Sequence, residues 1–303
     1  MPCMSLDPEG IRSILKAQFP SLRADRIAWL GEGYDSVAFA VHDAWVFRFP
    51  KREDVEQQLL RELRVLPAIA ARSPIAIPEY RFVGSPSASY PRHFGGYPML
   101  PGVPAHQLTL GSSQLAQIAP QIGRFLSVLH AQDPSGVRAD LPLCSSREVL
   151  QEMQAEALNE LHNLEVVSTA GLATRWRAFL EQAPPPDSMS ESAVVVHGDL
   201  AAEHVLVDPE SGKVTGVIDW SEIGLSSAAL DLAALYHWGG KSFAANALEY
   251  YEHGLTSALL QQARFIAACR AVLDVTFGLE TGRAEYIAGA LRTLNAPANG
   301  DAF

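Results

Sequence analysis

The feature that most constrains this chain is a segment in which two apolar stretches each end at an acidic residue. Residues Val194–Trp220 read VVVHGDLAAEHVLVDPESGKVTGVIDW. The valine-rich stretches predict β-strands, since β-branched side chains pack well on a pleated surface. The first stretch leads into a His-Gly-Asp triplet that ends at Asp199, the last stretch ends at Asp219, and His204 lies between the two acids. We therefore expect two carboxylates and an imidazole at the ends of short strands.

Phosphoryl transfer to a hydroxyl requires this combination of side chains. One carboxylate must accept the proton of the attacking hydroxyl, while the second carboxylate and a polar neighbour hold magnesium against the β- and γ-phosphates. The metal ligands should be hard and well fixed, because the metal neutralises charge that develops during transfer. Two alternatives remain open. The triplet could be a strand-ending turn that caps backbone groups, or His197, Asp199 and His204 could bind zinc, although they lack a recognisable zinc-ligand set.

HGDLAAEHVLVD followed by IDW resembles the catalytic loop and metal-binding strand of the aminoglycoside phosphotransferase family, a relative of choline kinases and of protein kinases. The family loop normally reads H-G-D-x4-N-x3-D. VVVHGD, HVL and IDWSE together are most similar to the branch of macrolide phosphotransferases and 2″-aminoglycoside phosphotransferases, in which His replaces the Asn. The resemblance implies an α+β, bilobal, protein-kinase-like fold with the nucleotide in the cleft. A small β-rich N-lobe would span residues 1–98 and a larger helical C-lobe residues 99–303.

The resemblance also implies a role for each residue of the motif. Asp199 would be the catalytic base and Asp219 the principal Mg²⁺ ligand. His204 would take the place of the usual Asn as a metal or phosphate partner. His197 and Asp231 would brace the catalytic loop through hydrogen bonds.

The N-terminal part contains a glycine turn between two predicted strands, Ile27–Leu30 and Val37–Val41. Gly31 and Gly33 would let backbone amides approach phosphates, because no Cβ stands in the way. Ser36 is close enough in sequence to add a hydroxyl. An ordinary hairpin turn is the alternative for this segment.

The predicted strand Trp45–Phe49 carries Arg48 where the family has a lysine that holds the nucleotide phosphates. Arginine remains charged and forks well onto phosphate oxygens, so it can serve the same purpose. Lys51, three residues later, is the other candidate. Glu62 on the next predicted helix occupies the position of the acid that pairs with this cation, or else belongs to a solvent-exposed face.

Residues 95–104, GGYPMLPGVP, are predicted to form a linker between lobes, because three prolines and three glycines interrupt regular structure there. By resemblance this segment is the hinge, where backbone groups of Met99 and Leu100 would hydrogen-bond the purine edge. Apolar spacing predicts further elements. Helices are expected at 8–20, 54–70, Leu115–His130, Glu148–Leu164, Leu172–Gln182 and past Asp231, and short strands at Ile75–Ile77 and Tyr80–Val83.

Substrate specificity is expected in the C-terminal helices. A cationic amino sugar needs carboxylates, whereas an apolar lactone needs aromatic and aliphatic walls. The candidate substrate residues are Asp231, His237, Trp238, Tyr250, Tyr251, Asp274, Glu280, Glu285 and Tyr286.

Composition limits the possible partners and compartment. The net charge of −11 argues against nucleic-acid binding and suits a cationic substrate, or simply keeps the protein in solution. No apolar run approaches the ~18 residues of a membrane helix, and the N-terminus lacks the pattern of a secretory signal. The three cysteines, Cys3, Cys144 and Cys269, show neither disulfide nor zinc spacing. These features predict a cytoplasmic protein, with a monomer or weak dimer as the expected state.

Together these features predict an O-phosphotransferase that uses Mg²⁺ and ATP or GTP to phosphorylate a hydroxyl of a small molecule, with an antibiotic as the leading acceptor. Two other functions remain open. The first is a metabolic kinase for a sugar, a choline-like alcohol or an amino-acid hydroxyl, since fold and catalytic loop would be shared. The second is a catalytically dead nucleotide-binding module. Its only support is that Arg48 stands where the family has a lysine.

Overall fold

The computed structural model describes residues 6–144, 147–168, 171–181 and 193–295. The chain forms two compact units, one up to Arg72 and over Ala76–Pro101, the other over Ser73–Ile75 and from Gly102 onward. The first unit is rich in strands and the second is mainly helical, so the predicted α+β class is confirmed. Cys3 lies outside the described residues.

The first unit is an antiparallel sheet with two helices. Its strands follow the order β1-β2-β3-β5-β4. They are β1 (Ile27–Glu32), β2 (Ser36–Val41), β3 (Trp45–Pro50), β4 (Phe82–Gly84) and β5 (Phe94–Pro98), and the helices are α1 (Pro8–Gln18) and α2 (Glu53–Ala70). The apolar stripe of α1, Ile11, Ile14 and Leu15, is buried in one core with the phenylalanines of the sheet. Burial of such side chains is the main source of stability in a unit of this size.

One strand prediction is wrong, and the predicted linker is partly taken up by the sheet. Ile75–Ile77 forms no strand, because Pro74 and Pro78 on either side cannot donate backbone hydrogen bonds to a ladder. The first residues of the predicted linker belong to β5, which pairs with both β3 and β4, while the boundary between the two units follows Pro101 and so falls within the predicted segment. The glycines of β5 serve packing rather than flexibility, because a Cβ added at Gly96 would lie 2.4 Å from the ring of Phe47.

The second unit combines two small sheets with a group of helices. Strands β6, β8 and β9 form one sheet, and β7 pairs with β10. The strands are β6 (Val103–Pro104), β7 (Val194–Val196), β8 (Val205–Val207), β9 (Val214–Val217) and β10 (Gly224–Ser226). The helices are α3 (Ser112–His130), α4 (Arg147–Glu160), α5 (Leu164–Val167), α6 (Leu172–Leu180), α7 (Ala229–Leu248), α8 (Ser257–Thr281) and α9 (Ala284–Leu294).

The helices of the second unit agree with the predicted segments to within a few residues, apart from Gln182, which lies outside the described part of the chain. Helix α8 packs against α7 and α9, and its centre is buried. Helix α7 is interrupted at Gly240, whose φ of 67° is not helical. None of the helices in the described ranges has the length and apolar character needed to cross a membrane.

Candidate active site

The loop after β7 has a backbone conformation that requires glycine. Gly198 has a φ of +89°, and an added Cβ would lie 2.1 Å from the carbonyl oxygen of Glu222. Asp219, just beyond β9, also has a positive φ, 60°. Left-handed backbone is uncommon for a residue with a side chain and persists where surrounding contacts hold it in place. The two acid-bearing segments are therefore both fixed in unusual conformations.

His197 joins these two segments. Its Nε2 hydrogen is donated to the carbonyl oxygen of Ile218 at 3.0 Å, and its Nδ1 accepts the amide hydrogen of Asp199 at 3.3 Å. These partners define a neutral imidazole, and burial correspondingly lowers the pKa of His197. Because both ring nitrogens are engaged, His197 is unavailable as a zinc ligand. The zinc alternative is thereby excluded.

Asp231, in the first turn of α7, holds the loop through hydrogen bonds to its backbone. Its carboxylate accepts the backbone amides of His197 at 2.8 Å and Gly198 at 3.0 Å, and His130 at 3.2 Å. Burial alone would raise the pKa of Asp231, but these hydrogen bonds outweigh it and the pKa is lowered. Asp231 is fully buried, so we assign it the bracing role and correct its inclusion among the substrate residues.

Asp199 presents a half-exposed carboxylate, with 51% of its side chain accessible. Its Oδ2 lies 3.8 Å from Nδ1 of His204, and its Oδ1 lies 4.0 Å from Nη2 of Arg270. Both distances exceed a hydrogen bond. Neither neighbour therefore occupies the oxygens that a base would use.

His204 faces Asp219. Its Nδ1 hydrogen is donated to the carbonyl oxygen of Asp199 at 2.7 Å, and its Nε2 lies 3.7 Å from Oδ2 of Asp219 and 3.7 Å from Oε1 of Glu203. Burial would lower the pKa of His204, but the carboxylates of Asp219, Asp199 and Glu203 raise it above the ordinary value. Within the described ranges, no group of three or more His, Cys, Asp and Glu residues could hold a metal ion by itself.

The Asp219 and His204 pair nevertheless fits Mg²⁺. Magnesium in phosphoryl-transfer sites is bound through one or two carboxylates and completes its shell with water and phosphate oxygens. The Asp219 carboxylate is 42% exposed and supplies such a hard oxygen ligand. Imidazole nitrogen suits softer metals better, so His204 matches a partner of phosphate or metal-bound water more closely than a direct ligand.

A cavity of about 550 Å³ in the second unit opens beside Asp199. Its walls carry the carboxylates of Glu203, Asp274 and Glu285 together with apolar side chains. The predicted residues that line it are His237, Trp238, Asp274, Glu285 and Tyr286. The Nε2 atom of His237 lies 2.9 Å from Oδ2 of Asp274, a close contact without hydrogen-bond alignment.

Glu280 was predicted as a substrate residue and is not part of the cavity wall. It lies about two helical turns past Leu273, at the exposed end of α8. Tyr250 and Tyr251 also lie outside the wall. An acidic residue on the correct helix does not reach the site when it lies too far along the helix axis.

Sequence reasoning missed two residues of the site. Glu203 lines the cavity and accepts a hydrogen bond from the hydroxyl of Tyr286. Its position between Asp199 and His204 in the loop was a signal that could have identified it. Arg270 of α8 also lines the cavity. A single arginine in a helix carries no such signal.

In the first unit, Arg48 pairs with Glu62 as the sequence predicts. Its Nη1 lies 3.1 Å from Oε1 of Glu62, which is almost fully buried and also accepts the hydroxyl of Tyr80 at 2.8 Å. Lys51 has a different partner, because its Nζ donates to the carbonyl oxygen of Gly33 at 2.7 Å. The two cations thus differ in role: one is held by α2 and the other ties down the glycine turn.

The backbone of the glycine turn is open to a ligand, whereas the backbone of the predicted hinge already makes a hydrogen bond within the protein. A Cβ added at Gly31 would meet no atom within 4 Å, and at Gly33 only the carbonyl oxygen of Ser36 at 4.0 Å. At the hinge, the amide of Met99 donates to the carbonyl oxygen of Ala44 at 2.8 Å. The Met99 amide is therefore already used within the protein, and the prediction that backbone groups of Met99 and Leu100 bond the purine edge rests on the Met99 carbonyl and the backbone of Leu100.

Comparison with known proteins places these features in context. The model of the phosphotransferase enzyme family matches residues 27–266. Uncharacterized protein YcbJ of Bacillus subtilis (strain 168) is 27% identical over 279 residues, 85% of this chain and 86% of that protein. Viomycin phosphotransferase of Streptomyces vinaceus is 36% identical over 140 residues, 45% of this chain and 47% of its own length. The chain thus spans about half the length of the viomycin enzyme.

Solved structures resemble the chain over nearly its whole length. The GDP and kanamycin complex of APH(2″)-IIIa has a TM-score of 0.69 at 21% identity and covers 94% of this chain and 97% of its own. Macrolide 2′-phosphotransferase type I has a TM-score of 0.62 at 26% identity and covers 96% and 98%. These similarities confirm the predicted kinase-like fold and the predicted branch.

Proposed function

The chain belongs to the phosphotransferase enzyme family, and we propose that it transfers the γ-phosphoryl group of ATP or GTP to a hydroxyl of an antibiotic, a macrolide or an aminoglycoside. The position of Asp199 carries this proposal. Its half-exposed carboxylate lines a cavity large enough for part of such a molecule and lies beside His204, which in turn faces Asp219.

Asp199 is the proposed catalytic base. A base must come within hydrogen-bond reach of the hydroxyl that it deprotonates. The Asp199 carboxylate opens to the cavity, and the backbone on both sides of it is fixed by hydrogen bonds to His197 and His204. An acceptor hydroxyl in the cavity could therefore donate to Asp199 without rearrangement of the loop.

Asp219 is the proposed Mg²⁺ ligand, with His204 beside it. When bound, Mg²⁺ would neutralise charge on the β- and γ-phosphates. Oδ1 of Asp219 accepts a hydrogen bond from Ser221 at 3.2 Å, which fixes the orientation of the carboxylate. His204 is held through Nδ1, so its Nε2 is directed toward Asp219.

In the first unit, Gly31, Gly33, Ser36 and Arg48 are the proposed contacts of the nucleotide phosphates. Nothing within the protein occupies the space that a side chain at Gly31 would fill, which supports a role for glycine in admitting a ligand. We favour Arg48 over Lys51 as the phosphate-binding cation, because Glu62 orients Arg48 while Lys51 is used to hold the glycine turn.

The cavity suits a cationic acceptor with apolar surface. Glu203, Asp274 and Glu285 provide negative charge near Asp199, and Leu108, Leu110, Trp238 and Leu273 provide apolar wall. A macrolide carries a protonated amine on a sugar, and this sugar is attached to an apolar lactone. It therefore matches both the negative charge and the apolar wall of the cavity. An aminoglycoside would use the carboxylates alone.

The test is a panel of acceptors with ATP and with GTP, scored for acceptor-dependent release of nucleoside diphosphate. Erythromycin-type and kanamycin-type drugs are compared with a sugar, choline and hydroxyl amino acids, and Asp199→Asn serves as the inactive control. We expect release with an antibiotic of one class. Turnover of a metabolic alcohol without turnover of either antibiotic class would overturn the antibiotic assignment. If no acceptor increases the release of nucleoside diphosphate, the alternative of a catalytically dead nucleotide-binding module would be favoured.

A further inference from the structure

Arg270 of α8 contacts the loop that carries Asp199 through a second set of hydrogen bonds, besides those of Asp231. Its Nη2 donates to the carbonyl oxygen of Gly198 at 3.0 Å, and its Nη1 donates to that of Leu200 at 3.4 Å. These are the two carbonyls that flank Asp199 in the sequence. The side chain is only 18% exposed, so the contacts lie in a largely desolvated place, where hydrogen bonds to a charged donor are strong.

The loop is thereby held by groups of opposite charge. Asp231 accepts the amide hydrogen of Gly198, and Arg270 donates to the carbonyl oxygen of the same residue. A carboxylate is an acceptor only and a guanidinium is a donor only, so each satisfies one side of the peptide chain. Gly198 has a φ of +89°, and backbone of this kind persists only when its surroundings determine it from several directions.

The guanidinium also lies near the side chain of Asp199 without binding it. Its Nη2 is 4.0 Å from Oδ1 of Asp199, beyond hydrogen-bond distance. Attraction over this distance favours rotamers that keep the carboxylate at the cavity, while both oxygens remain available to a hydroxyl. The geometry is that of a residue that orients the base and does not neutralise it.

We propose that Arg270 is a positioning residue for phosphoryl transfer, which holds the Gly198–Leu200 backbone so that Asp199 is directed into the cavity. The inference rests on the proposed function in so far as Asp199 is the base. Arginine is required because its planar fork reaches two carbonyls at once, whereas a lysine ammonium on a flexible stem would hold one.

The experiment compares Arg270→Met and Arg270→Lys with Arg264→Met as a matched control. Arg264 lies on the same helix, is stacked over the ring of Tyr236 and is not part of the cavity wall. Steady-state kinetics on the best acceptor gives kcat and the KM values for acceptor and nucleotide. Thermal unfolding checks that each variant is folded. Hydrogen exchange is measured on peptides that cover 197–203, and this measurement requires no activity.

We expect Arg270→Met to lower kcat on the order of 10²-fold, because small misplacement of a base has effects of this size, with both KM values within about threefold of the parent. Arg270→Lys should recover part of the loss. The amides of the loop should exchange about tenfold faster in Arg270→Met than in the parent or in Arg264→Met.

Three results would overturn the proposal: unchanged loop exchange in Arg270→Met, a rise in acceptor KM with kcat intact, or equal losses in Arg270→Met and Arg264→Met. The second result would make Arg270 a substrate contact, and the third would make it part of the general packing of α8. If the parent protein phosphorylates no acceptor, the proposed function fails, and the exchange measurement still decides whether Arg270 holds the loop.

Discussion

The imidazole of His197 is bonded to the carbonyl oxygen of Ile218, with Nε2 and the oxygen 3.0 Å apart. Ile218 directly precedes Asp219, and His197 lies two residues before Asp199. This single hydrogen bond therefore links the backbone of the proposed base to that of the proposed metal ligand. Because His197 is buried and neutral, the link involves no charge that must be compensated.

Replacement of the proposed base should separate binding from turnover. We expect Asp199→Asn to lower kcat by about 10² or more, the scale of positioned acid–base catalysis, with nucleotide affinity nearly unchanged. The measurement is steady-state kinetics together with calorimetric nucleotide binding. Loss of nucleotide binding without a selective loss of turnover would contradict the role of Asp199 as base.

Removal of the proposed metal ligand should act on the nucleotide instead. Asp219→Ala should weaken binding of the magnesium nucleotide, since it removes a hard anionic ligand. His204→Asn should retain more activity than His204→Ala, because the Asn amide can still bond a phosphate, the metal or metal-bound water, whereas Ala has no polar side-chain atom. The assays are nucleotide titration at varied Mg²⁺ and steady-state kinetics. Parent-like activity in all three variants would contradict the magnesium site.

A side chain at Gly198 should be tolerated far less than one at Gly240. Both residues have positive φ, but a Cβ at Gly198 would collide with the carbonyl of Glu222, whereas a Cβ at Gly240 would meet no atom within 4 Å. Gly240 has a ψ of −166°, a backbone region that is almost restricted to glycine, so Gly240→Ala should cost only this backbone strain, about 1 to 3 kcal/mol of the free energy of unfolding. Gly198→Ala should cost more and abolish turnover. Equal effects in thermal melts and kinetics would show that the contact with Glu222 is unimportant.

The cavity carboxylates should determine affinity for a cationic acceptor. Asp274→Asn and Glu203→Gln should raise the acceptor KM about tenfold, because an interaction made equally in ground and transition states affects KM and not kcat. Glu280→Gln is the matched control, since Glu280 lies on the same helix as Asp274 and outside the cavity. If Glu280→Gln had the larger effect, the acceptor would bind elsewhere.

Acid should destabilise the protein partly through Asp231. Its pKa in the folded state lies below the ordinary value of 3.8, so on acidification the unfolded chain binds the proton first. Its stabilisation is complete above about pH 4 and is lost as the pH falls through the lowered value. Asp231→Asn should therefore flatten the pH dependence of the free energy of unfolding below pH 4, measured by urea titration. The same slope in parent and variant would contradict this assignment.

The sequence predicted which side chains lie together where they belong to one short segment. His204 lies 3.8 Å from Asp199 and 3.7 Å from Asp219, because local backbone hydrogen bonds such as that from Ile218 to His204 bring the loop and the hairpin together; the roles of the three residues stay predictions. The pairing of Arg48 with Glu62 was accessible for a similar reason, since a strand followed directly by a helix leaves few possible registers.

Tertiary structure alone decided what faces this segment. Arg270 bonds to carbonyls that lie 70 and 72 residues earlier in the chain, and only the packing of α8 brings it there. The same packing places Asp274 in the cavity wall and leaves Glu280 outside it, although both are acidic residues of one helix. The availability of the Met99 amide was likewise decided by a backbone hydrogen bond to Ala44, 55 residues earlier in the chain. Such contacts depend on where whole elements dock, which is a property of the folded core and not of any local pattern of residues.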